Sequence, residues 1–447
     1  MAKYFGTDGV RGVANIELTP ELAYKIGRAG AYVLTKQNNK PTIIVGMDTR
    51  ISGDMLEASL ISGMCSVGAN VISLGIIPTP AVAYLVKKYN ADAGVMISAS
   101  HNPFKDNGIK FFNNKGFKLN DNVEEEIEKY IDDDSQIPYE QGENIGYKQT
   151  KEEAIEDYVN FLKSTLDVNF EDFDITVDCA NGATYQAAPI LFESLKANTN
   201  IIFREPNGIN INDNCGSTHM DTLCKEVVKN KSHIGIAFDG DGDRCLVVDE
   251  NGIVVDGDEI MAICGNFLKE QGKLKDNTIV ATVMSNLGLF IMGQQKNINV
   301  LKTKVGDRYV LEEMVQKGFN FGGEQSGHII YLDYNTTGDG MLTAIKLLEV
   351  MKKTGKKLSE LKQAIKLLPQ VLVNAKVNNK NKYNYLENEH IKNAIEEIEK
   401  MFEGKGRVLI RPSGTEPLVR VMIEGDDQQV LEQEAKKLAN LIEQKLS

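Results

Sequence analysis

What the chain lacks narrows the field first. Its six cysteines, Cys65, Cys179, Cys215, Cys224, Cys245 and Cys264, form no CxxC pair and no Cys/His cluster, which removes the usual spacings of a zinc site or disulfide framework. The opening MAKYFGTDGV lacks the apolar stretch of a secretory leader. Together these absences lead us to expect reduced thiols and a cytoplasmic protein. No apolar run approaches the roughly 18 to 20 residues that span a bilayer, because stretches such as CSVGANVISLGII are broken by Gly, Ser and Asn. No membrane partner is expected. Basic residues are in deficit, 50 Lys and Arg against 63 Asp and Glu, and the net charge of -13 argues against general binding of nucleic acid or anionic membranes. An anionic substrate therefore needs a locally positive pocket. There is also no fixed-period repeat, no low-complexity tract and no GxSxG elbow of a serine hydrolase.

What is present fits a multidomain globular protein: 447 residues, 42% of them hydrophobic, suffice for three or four domains of roughly 100 to 150 residues. In residues 1–150, strand candidates PTIIVGMD, ANVISLGII and DAGVMISAS alternate with helical patterns such as ELAYKIGRAGAYVL. That alternation predicts an α/β domain with a largely parallel sheet. The polar, aperiodic stretch YIDDDSQIPYEQGENIGYKQT marks its end. Residues 151–254 form a second α/β unit (DITVDCA, TNIIFRE, HIGIAFD), and residues 255–367 a third (TIVATVMS, FNFGGEQSGHIIY). Residues 368–447, with strands QVLVNAKV, GRVLIRPS and PLVRVMIEG and two helices, read as a smaller α+β domain.

The densest chemistry lies in HIGIAFDGDGDRCLVVDE, where Asp239, Asp241 and Asp243 alternate with glycines between two strand candidates. Carboxylates this close repel one another unless a hard cation sits among them; otherwise the segment is an acidic surface turn. A calcium loop is suggested by Glu250 at the twelfth position. It fails because Arg244 stands where that loop needs glycine and strands replace its helices. Mg²⁺ sharing a phosphate oxygen fits better. GRVLIRPSGTEPLVR offers Arg411, Ser413, Gly414, Thr415 and Arg420 in a strand, turn, strand setting, suited to phosphate or else an ordinary hairpin. FGGEQSGH places Glu324 and Ser326 among glycines, which suits sugar hydroxyls or a solvated turn. Arg11 in FGTDGVRG and Lys110 in DNGIK are cations that can face a phosphate, though each alone reads as a surface charge. In GVMISASHNP, Ser98 and Ser100 point the same way along a strand, and Ser100, where HNP turns the chain, is the exposed one. His101 beside it is poorly placed to take its proton.

SASHNP, DGDGDR, GEQSGH and RPSGTEP occur in the order and wide spacing of the α-D-phosphohexomutase superfamily, and the resemblance spans essentially the whole chain. KYFGTDGVRG, DCANGATY, NGININDNCGSTH and KVGDRYV resemble its bacterial branch acting on glucosamine phosphates. The resemblance implies three related α/β domains with mixed, largely parallel sheets and a TATA-binding-protein-like C-terminal α+β domain around a central cleft. It implies that Ser100 is carried as phosphoserine, with one Mg²⁺ held by its phosphate, Asp239, Asp241 and Asp243. The phosphoryl group then passes to O1 of glucosamine 6-phosphate, giving bound glucosamine 1,6-bisphosphate, and the 6-phosphate returns to Ser100. A sugar 1,6-bisphosphate is thus intermediate and activator, and glucosamine 1-phosphate leaves for UDP-N-acetylglucosamine and cell-wall precursors.

By the same resemblance Arg411, Ser413, Gly414, Thr415 and Arg420 hold the nonreacting phosphate, and Glu324 and Ser326 bind sugar hydroxyls. Gly306, Asp307 and Arg308 of KVGDRYV serve the sugar end, and Arg244 also contacts substrate. Lys110 is the preferred general acid/base, with Arg11 and His101 assisting the reacting phosphate. The expected partner is a small amino-sugar phosphate, and the sequence leaves a homodimer open. The near alternative is a phosphoglucomutase or phosphomannomutase of the same superfamily; a serine hydrolase or a noncatalytic Ca²⁺- or sugar-phosphate-binding protein stands further off.

Overall fold

Short runs rich in β-branched residues, such as TIIVGM and DITVD, form strands, and the amphipathic stretches between them form helices. The computed structural model describes residues 3–6, 8–35, 40–402, 404–413 and 416–447. The chain divides into two units, Met1–Met284 with Ile298–Ala364, and Ser285–Asn297 with Ile365–Ser447.

The first unit contains three sheets of one design. In the first sheet, Thr42–Met47 runs parallel to Asn70–Ile76 and Ala93–Ile97, and Asp106–Asn113 then pairs antiparallel with Ala93–Ile97. In the second, Asp174–Asp178 lies parallel to Asn198–Ile202 and Ile234–Phe238, and Cys245–Asp249 returns antiparallel beside Ile234–Phe238. In the third, Thr278–Thr282 lies parallel to Asn299–Thr303 and Phe321–Gly323, with Ile329–Tyr331 antiparallel at the end. Each sheet thus runs second, first, third, fourth strand, and edge strands extend the first two. The sheets are mixed with a parallel centre, and the shared order exposes a kinship that no sequence repeat reveals.

This order decides where chemistry can sit. Each third strand passes into its antiparallel neighbour through a loop at its carboxyl end, the edge at which open α/β sheets bind ligands. Those loops hold Ser100, then Asp239 to Arg244, then Glu324 to His328.

The core around the first sheet joins Val45, Val95, Ile97 and Phe111 to Ile26, Leu56 and Leu60 of the covering helices. Helices Pro20–Thr35 and Gly53–Cys65 approach closely because glycine stands at both contacts. A Cβ on Gly27 would lie 2.2 Å from the Leu60 carbonyl oxygen, and one on Gly63 would lie 2.1 Å from that of Tyr24.

The second unit is an antiparallel sheet of Gln370–Lys376, Leu418–Glu424 and Arg407–Pro412. Helices Glu389–Met401 and Gln428–Leu446 cover it with Ile391, Ile398, Leu431, Leu438 and Ile442 against Val419, Val421 and Ile423. Helix Leu287–Lys296, although it follows a strand of the third sheet in sequence, groups with this unit. At its start Asn286 Nδ2 donates to the Leu368 carbonyl at 2.9 Å and Leu287 N–H to Glu424 Oε1 at 3.2 Å. Among the described residues no helix is long and apolar enough to cross a membrane.

Gly63→Ala is expected to force the two helices apart and to cost about 1–3 kcal/mol, the usual range for overpacking. Thermal melting checks this, and an unchanged midpoint would show that the helices yield without strain.

Candidate active site

Strand Ala93–Ile97 ends in a turn where Ser100 adopts a left-handed backbone, with φ of 53°. For a residue with a Cβ this conformation costs roughly 1–2 kcal/mol, so neighbouring contacts must hold it. The sequence reading of Ser100 as exposed is corrected: it is only 2% exposed, because the second α/β layer covers the strand end. Its Oγ donates to Asp239 Oδ2 at 2.6 Å, while His101 Nδ1 lies 3.3 Å away, nearer than the sequence argument allowed. Burial, Arg244 and Arg11 push the His101 pKa down to about 4, so the ring is neutral near pH 7. Ser98, which carried no role in the sequence reading, accepts the Ser100 N–H at 2.9 Å and donates to Asp48 Oδ2 at 2.5 Å.

The acidic loop follows strand Ile234–Phe238, and glycine is required in it. A Cβ on Gly240 would stand 2.5 Å from the Ser100 carbonyl oxygen, so the two loops touch through backbone. Asp239, Asp241 and Asp243 are buried, each presenting an oxygen within 4.8 Å of the others. Asp239 Oδ1 accepts the Arg244 N–H at 3.1 Å; Asp241 Oδ2 accepts from Thr79 Oγ1 at 2.6 Å and Lys110 Nζ at 2.8 Å. Asp243 Oδ2 faces His328 Nδ1 at 3.5 Å. Burial raises the Asp239 pKa, and the Asp243 and Asp241 charges add to this. Burial acts the same way on Asp243, but His328 and Lys110 overcome it and hold that carboxyl well below the usual range. Asp241 Oδ1 and Asp243 Oδ1 are buried without a hydrogen-bond partner. Two such oxygens in one carboxylate cluster are the donors a hard divalent cation would engage, so these residues fit a metal ion.

Cations surround this loop. Lys110, 1% exposed, lies between Asp241 and Asp8, with Nζ 3.0 Å from Asp8 Oδ2. Burial alone would lower its pKa, but Asp241, Asp8 and Asp243 raise it and keep the ammonium charged. Arg11 pairs with Asp8, and Lys118 bridges Asp8 Oδ1 and Asp307 Oδ2, both at 2.5 Å. His328 Nε2 lies 3.5 Å from that same Asp307 oxygen and accepts the Gly338 N–H at 3.0 Å. Sequence reasoning missed Asp8, Thr79, Lys118 and His328. Asp8 and His328 lie inside the motifs FGTDGVRG and GEQSGH, which pointed to them without assigning them; Lys118 gave no signal.

The sugar-loop candidates divide. Glu324 Oε1 accepts the Gly306 N–H at 3.0 Å, while Ser326 Oγ and Arg244 Nε are buried without partners, as groups awaiting a ligand would be. Arg308 instead spends its donors on Asp121 at 2.6 Å, Glu124 at 3.5 Å and Glu312 at 3.0 Å. In the second unit, Arg411 and Arg420 are register partners on adjacent strands. Ser413 Oγ accepts the Glu416 N–H at 3.2 Å, Arg420 Nη2 donates to Glu416 at 3.2 Å, and Arg420 Nε is buried without a partner. Gly414 and Thr415 lie outside the described residues.

Asp178, at the end of its strand, braces loops of the second layer by accepting the Ala180 N–H at 2.8 Å and the Gly216 N–H at 2.9 Å. Burial pushes its carboxyl up to about 7 despite these bonds. Because the folded pKa exceeds the unfolded one, this group's stabilising contribution is complete below about pH 4 and is lost as pH rises to about 7. Asp178→Asn is therefore expected to flatten the fall in stability over that window by up to about 1.4 kcal/mol per pH unit, read from denaturation midpoints against pH.

Models of the phosphoglucomutase/phosphomannomutase α/β/α domains I, II and III match residues 2–138, 156–252 and 256–367, and that of the C-terminal domain matches residues 372–441. A phosphoglucosamine mutase of Ruminiclostridium cellulolyticum is 62% identical over 100% of both chains. The fold is shared with a phosphoglucomutase/phosphomannomutase family protein from Burkholderia thailandensis, at a TM-score of 0.82 and 22% identity over 99% of this chain and 98% of that one. It is shared also with an Aspergillus fumigatus N-acetylphosphoglucosamine mutase solved in complex with GlcNAc-6P and magnesium, at a TM-score of 0.70 and 17% identity over 100% of this chain and 96% of that one. With all four domains matched in order and close relatives aligned end to end, the chain belongs to the phosphoglucomutase/phosphomannomutase family.

Proposed function

We propose that this chain interconverts glucosamine 6-phosphate and glucosamine 1-phosphate, with Ser100 as the phosphoryl carrier. The observation that carries the reading is the approach of Ser100 Oγ to Asp239 at 2.6 Å, within a carboxylate cluster that has two unpartnered oxygens. The name of the 62% identical relative supports the amino sugar as substrate. Asp239, Asp241 and Asp243 would hold Mg²⁺ together with an oxygen of the Ser100 phosphate. When bound, the ion supplies charge neutralisation at the phosphoryl group undergoing transfer.

In the forward half-reaction the bond from Ser100 Oγ to phosphorus breaks as the bond from sugar O1 to phosphorus forms, and the O1 hydroxyl loses its proton. The Lys110 ammonium, between the acidic loop and Asp8, is the proton-transfer candidate: it gives a proton to Ser100 Oγ as that oxygen loses phosphorus and recovers one from the O1 hydroxyl. The bound glucosamine 1,6-bisphosphate then presents its 6-phosphate, whose bond to O6 breaks as Ser100 Oγ regains phosphorus, and the Oγ proton passes to O6. Glucosamine 1-phosphate departs, suited to UDP-N-acetylglucosamine synthesis. Arg11 and neutral His101 flank the reacting phosphate, Arg244, Glu324, Ser326, Gly306 and Asp307 hold the sugar, and Arg411, Ser413 and Arg420 hold the second phosphate.

Two measurements test this reading. Intact-mass analysis should find one phosphoryl group on a peptide containing Ser100, and Ser100→Ala should lose it together with turnover, by on the order of 10³-fold or more. A coupled assay should then favour glucosamine 6-phosphate over glucose and mannose phosphates; a strong preference for mannose phosphates would replace the substrate assignment.

Asp241→Asn is expected to weaken Mg²⁺ binding roughly tenfold or more, read by calorimetry on the dephosphorylated protein. Unchanged affinity would remove Asp241 from the metal site.

A further inference from the structure

Two residues that touch none of the reacting groups described above are spent wholly on the Ser100 turn. Arg50, in the segment MDTR after the first parallel strand, is fully buried, as is its carboxylate partner Asp48. A guanidinium has five N–H donors, and here each has its own acceptor. Nε donates to Asp48 Oδ2 at 2.9 Å. Nη1 donates to the carbonyls of Pro103 at 2.5 Å and Asp106 at 3.0 Å, and Nη2 to those of Ser100 at 2.9 Å and Asn102 at 2.8 Å.

Asn212 comes from a different layer, out of the NGININDNCGSTH segment of the second α/β unit. Its Nδ2 donates to the same two carbonyls, Ser100 at 2.9 Å and Asn102 at 3.1 Å. Both lone pairs of each carbonyl oxygen are thereby engaged by a side chain. Asn212 itself has a φ of 58°, a left-handed conformation that Asn tolerates better than most residues. The Ser100 N–H is bound by Ser98 Oγ at 2.9 Å, and Ser98 in turn donates to Asp48.

We propose that Arg50 and Asn212 are positioning residues that clamp the Ser100 turn from two layers and fix where its Oγ stands during phosphoryl transfer. The inference rests on Ser100 being the phosphoryl carrier. The peptide groups before and after Ser100 are pinned, by Ser98 on one side and by Arg50 with Asn212 on the other, so rotation about the Cα–Cβ bond is the main freedom left to the side chain. A carrier that gives up a phosphoryl group and must take one back from a different oxygen of the same sugar needs Oγ to return to one place. The clamp supplies that fixed place, and it offsets the cost of the left-handed turn.

The test is a single-turnover measurement in the phosphorylated full-length enzyme mixed with glucosamine 6-phosphate, with quenched-flow loss of phosphate from Ser100 as the readout. Two variants are compared with wild type. Asn212→Gly keeps the left-handed backbone and deletes the amide. Arg50→Lys keeps the charge and replaces five fixed donors by three. The rate constant is read from an exponential, so a smaller folded fraction changes the amplitude and leaves the rate constant untouched. Each variant is expected to transfer about 10- to 100-fold more slowly, the loss expected for a misplaced reacting atom, with the KM for glucosamine 6-phosphate within a few-fold of wild type. A wild-type rate constant in Asn212→Gly overturns the clamp, whether or not Arg50→Lys folds. The Ser100→Ala enzyme separates the two readings: if it turns over normally, the carrier assignment falls, whereas an inactive Ser100→Ala beside a normal Asn212→Gly sinks only the clamp.

Discussion

Three carboxylates within 4.8 Å of one another, shut away from water, set the terms for the first unit. At the effective dielectric of partly buried sites, two unit charges 4 Å apart repel by about 4 kcal/mol, and a third multiplies the problem. The fold answers with positive charge and donors brought from the first and third layers. Lys110 comes from the first sheet, His328 from the third, and Thr79 from the start of the helix that precedes the serine strand. Behind them Asp8 and Asp307 hold Lys110 and Lys118 in a chain of alternating sign. Even so, two carboxylate oxygens stay unpartnered, which leaves the cluster suited to a further cation rather than to closure on itself.

The repeated strand order explains how one site draws on so much chain. Each layer presents the loop after its third strand, so three copies of one topological position become the loop of Ser100, the acidic loop of Asp239 to Arg244 and the loop of Glu324 to His328. The layers also touch through backbone at the site. Gly240 lies against the Ser100 carbonyl, and Gly340 leaves no room for a Cβ beside the carbonyl of Arg244. Glycine at these contacts is a packing requirement.

The parts of the site that could be read from the sequence are those whose chemistry forces unusual local composition. DGDGDR, SASHNP and GEQSGH stand out because carboxylates, serines and glycines crowd there for a reason that acts over a few residues. Asp8, Lys118 and His328 could not be assigned in this way, because each is an ordinary residue until the topology chooses its partner from a distant part of the chain, as it does for Lys118 with Asp8 and His328 with Asp243. Ser100 was misjudged as exposed for the same reason: a strand end is open to water unless another layer covers it. Ser98 shows the converse, since a residue dismissed as part of a strand holds the backbone of its neighbour. The alternation of strand and helix sufficed for the α/β class, but the threefold strand order became visible only in the pairing.

Helix Leu287–Lys296 has a consequence for how the molecule can be taken apart. Because it belongs with the last unit while the strands before and after it belong to the first, the polypeptide passes between the two units three times, near residues 285, 298 and 365. A single cut near 365 would therefore yield no pair of self-contained fragments. The longer piece would keep a helix whose first turn has lost Glu424 and Leu368, and the shorter would lack the segment that those groups bind. The C-terminal unit is better regarded as a body completed by a borrowed helix than as a module that could be shuffled, expressed or replaced at one junction.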